Sequence, residues 1–107
     1  MPVPEALNLL SLARTEPGVP KLVPGTRLEV RALHENLSLR LEVPLWLCVL
    51  AGELLVDLPH GDFRRLERGD SLHLEAGVDL GFVPLEETVI LQTAPPAPGL
   101  PLGHPVG

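Results

Sequence analysis

The side chains able to do chemistry are few: four histidines, one cysteine, three serines and fourteen carboxylates in 107 residues. His34 and His60 fall in turn-like stretches, and His104 sits in a proline-rich tail. All three read as solvated. His73 differs, lying between Leu72 and Leu74 in a strand-like run and sharing a polar stripe with Ser71 and Glu75. That stripe faces either solvent or the mouth of a pocket. With an ordinary pKa near 6.5, an imidazole there could serve as a general acid or base. Cys48 stands in a leucine-rich run without an adjacent basic residue. A reactive thiol needs such a neighbour or a helix N-terminus, so Cys48 reads as buried and inert. Ser11, Ser38 and Ser71 lack the Gly-x-Ser-x-Gly setting of an exposed nucleophile. No glycine-rich phosphate loop is present.

Composition narrows the partners. Eight Lys and Arg against fourteen Asp and Glu leave a net charge of −6, unsuited to phosphate backbones or anionic membranes. The basic cluster Arg64, Arg65 and Arg68 reads as a solvated strand face. Trp46, Phe63 and Phe82 are the only aromatics, too few for base- or sugar-stacking platforms. No nucleic acid and no membrane partner is expected. A lone cysteine makes no intrachain disulfide, and no apolar run approaches the roughly 18 residues that span a bilayer. A cytoplasmic location follows as an expectation. Thirteen prolines and three amide side chains are compatible with a thermostable protein.

The elements that would position these residues are strands. From Arg27 the pattern has period two, with Leu28, Val30 and Ala32 on one face and Arg27, Glu29 and Arg31 on the other. Alternation runs unbroken from Leu37 to Val43, and further strands are expected at 45–50, 53–58, 63–67, 71–75, 79–83 and 88–93. Glycine or proline punctuation every 8–12 residues and little helix predict an all-β sandwich or barrel. Residues 1–25 pack on that barrel; within them, 5–14 form a short helix or an extended edge. Residues 26–94 make the barrel, and 95–107 are a Pro/Gly-rich tail.

Two glycine-anchored stretches carry a resemblance. One is Leu37 to Val49 followed by Gly52; the other is Gly69-Asp70-Ser71-Leu72-His73-Leu74-Glu75-Ala76-Gly77. Together they resemble the two signature motifs of the cupin family. Its first motif is His-x-His, three or four residues, Glu, six residues, Gly; its second is Gly, five residues, Pro-x-Gly, two residues, His. Anchored on Gly52, the Glu position holds Leu45. A three-residue gap puts Leu39 and Leu41 at the two His positions, and a four-residue gap puts Ser38 and Arg40 there. Glu75 takes the Pro position and Leu80 the last His. Parity favours the shorter gap, since Leu39, Leu41, Leu45, Leu47 and Val49 then share one face.

The resemblance implies a jelly-roll β-barrel or sandwich whose interior lies at that face. A metal needs at least three N, O or S donors at about 2.0–2.2 Å, and leucine offers none. The expectation is a metal-free cupin with no cofactor. Its candidate ligand pocket is Leu39, Leu41, Leu45, Leu47 and Leu80, with His73 as the one titratable group. Between them, Trp46, Cys48 and Leu50 are also apolar, so that strand must be covered on both faces. The cover is the N-terminal segment or a second subunit. Small cupins pair commonly, and a homodimer with Trp46, Cys48 and Leu50 at its interface is expected. Three functions compete: a binding or scaffold domain for a small apolar ligand, a metal-dependent dioxygenase or isomerase with displaced ligands, and a ligand-sensing regulatory module.

Overall fold

The computed structural model describes residues 5–95. Two antiparallel sheets face each other. One contains, in spatial order, β1 (Lys21–Leu22), β2 (Leu28–Leu33), β9 (Thr88–Thr93), β4 (Leu45–Ala51) and β7 (Ser71–Leu74). The other contains β3 (Leu37–Arg40), β8 (Asp79–Pro84), β5 (Glu53–Asp57) and β6 (Phe63–Glu67). Apart from the β1–β2 and β5–β6 pairs, strands that are neighbours in sequence, such as β3 and β4, lie in different sheets, the double-sheet arrangement of a jelly roll.

Local chemistry sets the boundaries. The alternation from Leu37 to Val43 predicts one strand, but the ladder ends at Arg40, because the chain must cross between sheets before β4. Leu41 stays buried in the crossing; its N–H donates to the Val78 carbonyl at 3.0 Å and its carbonyl accepts from Gly77 N–H at 2.7 Å. The open alternatives for residues 5–14 resolve into a helix, α1 (Leu9–Arg14). Asn8 caps it, its Oδ1 accepting from the Ser11 N–H at 3.0 Å.

Gly52 makes the turn from β4 to β5 at φ +85°. A Cβ there would lie 2.2 Å from the Glu87 carbonyl oxygen and 2.8 Å from Thr88 Cα, so only glycine fits.

The inner faces interdigitate around Leu47, Val49, Leu54, Val56 and Ile90, none of which is solvent-exposed. A second apolar cluster lies outside the first sheet, where Ala13 on α1 packs with Val30, Ala32 and Val89. This cluster inverts the usual sense of β2. Its apolar residues Val30 and Ala32 face the helix, and its polar residues Glu29 and Arg31 face the sandwich interior, opposite Gln92 and Ile90 of β9.

Among the described residues no helix is long and apolar enough to cross a membrane. Arg64 pairs with Asp62 and Arg65 with Glu53, each at 2.8 Å, so two of the three clustered arginines already have acidic neighbours. Of the proposed tail, 96–107 lies outside the described residues, and so does His104.

Candidate functional site

The leucines singled out by spacing do converge. Leu41, Leu45, Leu47 and Leu80 belong to one buried cluster, and Leu39 packs against it. Register explains the convergence: Leu39 sits opposite Leu80 in the β3–β8 ladder, while Leu45 and Leu47 sit opposite Leu74 and Leu72 in β4–β7. The centre of the sandwich is filled by these side chains. One cleft, of about 220 Å³, opens at the end where β3 hands over to β4. Leu39, Leu41, Leu45 and Phe82 form its apolar wall, and Arg31 and Gln92 its polar wall. Arg40 and Glu42 stand on the rim. Arg40 is held there by Asp79, with Nη1 to Oδ1 at 3.0 Å.

His73 does not belong to this cleft. It is the partner of Trp46 across the β4–β7 ladder and therefore lies on the outer face, its side chain 58% exposed. The parity that sends Leu72 and Leu74 inward sends His73 out. Glu75 approaches it at 3.7 Å, also in solvent. The histidine placed at the pocket by sequence is thus corrected to a surface residue.

The polar wall is what the sequence reading missed. Glu29, Arg31 and Gln92 are neighbours on the inner face of β2 and β9: Glu29 is opposite Gln92, and Arg31 lies one row along. Gln92 is 7% exposed and donates from Nε2 to Glu29 Oε1 at 3.3 Å. A carboxylate only accepts, so the amide nitrogen must face Glu29, and Oε1 is the free end. Gln92 Oε1 and Arg31 Nε are both buried without a hydrogen-bond partner among the described residues. Burial pushes the Arg31 guanidinium below its ordinary pKa, and the Glu29 charge pulls it part of the way back.

A signal for this wall was present. Val89-Ile90-Leu91 is apolar on both faces, so both faces of β9 had to be covered, and Gln92 continues that strand.

The metal positions do not fit a metal. Leu39, Leu41, Leu45 and Leu80 stand where donors would converge, and among the described residues no three His, Cys, Asp or Glu side chains come together. On the outside of β4, Trp46, Cys48 and Leu50 are all half-buried; Leu50 packs with the α1 cluster, and Trp46 lies beyond it.

No family model matches the sequence, and no curated protein matches it significantly. Solved structures do match. A protein from Neisseria meningitidis superposes with a TM-score of 0.70 at 14% identity, covering 85% of this chain and 100% of its own. A cupin-2 domain protein from Shewanella frigidimarina gives 0.72 at 13%, covering 84% and 94%. A hydroquinone 1,2-dioxygenase in complex with Cd2+ and 4-hydroxybenzonitrile gives 0.69 at 20%, covering 85% and 72%. Identities this low speak for architecture alone, and with the two-sheet topology they establish that this chain has the cupin fold.

Proposed function

We propose that this protein is a metal-independent cupin-fold binding domain that takes a small, largely apolar molecule in the cleft between β3 and β4. The observation that carries the reading is the wall of Leu39, Leu41, Leu45 and Phe82 around an end cavity, at the positions where the family's metal chemistry would need donors. Catalysis by a metal is not part of the proposal, since leucine ligates none. A cytoplasmic home accords with the single free cysteine.

Native mass spectrometry of protein purified without chelator tests this. A co-purifying organic molecule, or saturable binding of 1-hexanol that Leu41→Trp abolishes by filling the cleft, supports it. Stoichiometric Fe, Mn, Ni or Zn in the same sample overturns it.

A homodimer through the outer face of β4 belongs to the same proposal. Leu50 packs with the α1 cluster, yet Trp46, Cys48 and Leu50 all stay half-buried, which supports a second subunit as the remaining cover. Trp46→Glu should therefore release monomer in sedimentation. Losing one indole contact per subunit, each contributing about 2 kcal/mol, weakens the dimer about thousandfold. An unchanged sedimentation coefficient rejects this interface.

A further inference from the structure

The cleft has two unlike walls, and the polar one has unmet hydrogen-bonding capacity. Arg31 enters no ion pair among the described residues, and its Nε is buried without a partner. Glu29, the carboxylate beside it on the inner face, is engaged by the Gln92 amide and does not line the cleft. A guanidinium is a fork of five donors whose geometry matches a carboxylate. Arginine keeps its charge even when partly buried, so this one sets a cation in the lining of the cleft.

Gln92 adds a second requirement. Its Oε1 is an acceptor, fixed in that sense by Glu29 on the other end of the amide. A bare carboxylate set against it would meet a like partial charge. A hydroxyl or amino group next to the carboxylate would instead donate to it.

Resting on the binding reading above, we infer that the cleft selects a small hydroxy or amino monocarboxylic acid. Its carboxylate sits on the Arg31 guanidinium, its neighbouring donor on Gln92 Oε1, and its alkyl body against Leu39, Leu41, Leu45 and Phe82. Volume agrees: about 220 Å³ admits a chain of a few carbons and excludes nucleotides and oligosaccharides. On the rim, Arg40 is paired with Asp79, and Glu42 is the remaining charge there.

The test is titration of the full chain with 1-hexanol, hexanoate and 2-hydroxyhexanoate by calorimetry. Hexanoate should bind at least tenfold tighter than 1-hexanol, the scale of one charge-assisted hydrogen-bonded pair. 2-Hydroxyhexanoate should bind tighter again, and Gln92→Leu should erase that last increment. Arg31→Gln should bring hexanoate and 1-hexanol to equal affinity, and Arg31→Lys should keep most of the preference. A readout on the unaltered protein covers the case in which Arg31→Gln fails to fold: the Arg31 Nε–H resonance should move with hexanoate and stay still with 1-hexanol.

Equal affinity for the acid and the alcohol overturns the inference while leaving an apolar binding site standing. So does an acid preference that survives Arg31→Gln, or an Arg31 resonance indifferent to hexanoate. Failure of all three probes to bind overturns both this inference and the binding reading.

Discussion

Gly52→Ala should lower stability by about 4 kcal/mol, the combined cost of left-handed backbone in a residue with a Cβ and of a steric clash inside a packed turn. At φ +85° an alanine is strained before any neighbour is considered. Its Cβ would also stand 2.2 Å from a main-chain oxygen, that of Glu87, and main chain cannot swing aside as a flexible side chain does. The turn has no slack, because Thr88 ties it to β5: the Glu53 N–H donates to Thr88 Oγ1 at 3.2 Å, and that hydroxyl lies 2.9 Å from the carbonyl oxygens of Glu53 and Glu86. Gly69→Ala is the control. It has a similar φ of +92° but nothing within 4 Å of a built Cβ, so its cost should stay near 1–2 kcal/mol. Urea denaturation of both variants measures the difference. Equal midpoints would show that the close approach to Glu87 has no energetic weight.

Phe82→Ala should cost about 3–5 kcal/mol, the range for removing a buried aromatic ring from a core that cannot collapse around the void. Phe82 is 1% exposed, lies opposite Leu37 and Val56 in its two ladders, and closes the inner end of the apolar wall. The other phenylalanine provides the contrast: Phe63 on the edge strand β6 is 54% exposed, and Phe63→Ala should change stability by less than about 0.5 kcal/mol. Thermal or urea unfolding distinguishes the two. A small loss at Phe82 would mean that the sandwich interior is loosely packed, and the cleft with it.

Much of the fold was legible because its strands obey simple alternation. Eight strand segments follow the pattern of apolar and polar residues to within a residue or so at most ends, the principal exception being the run after Arg40. That exception has a cause that alternation does not carry: Leu41 keeps its inward parity while the backbone leaves one sheet for the other. The candidate pocket was half legible. Leu39, Leu41 and Leu45 line the cleft, whereas Leu47 and Leu80 fill the sandwich core, His73 lies outside, and Arg31 and Gln92 lie inside.

From its residue order alone, then, this chain determined its strands, the glycine turns between them and the absence of metal-binding side chains at the expected positions. Only the assembled structure decided which face of β2 turns inward. Period two says that Val30 and Arg31 point in opposite directions, and nothing within the strand says which direction is the interior. The short helix α1 settled it by packing Ala13 against Val30, Ala32 and Val89 on the outside. Burying those methyl groups under the helix forces Glu29 and Arg31 into the sandwich, and an apolar cleft acquires a charged wall.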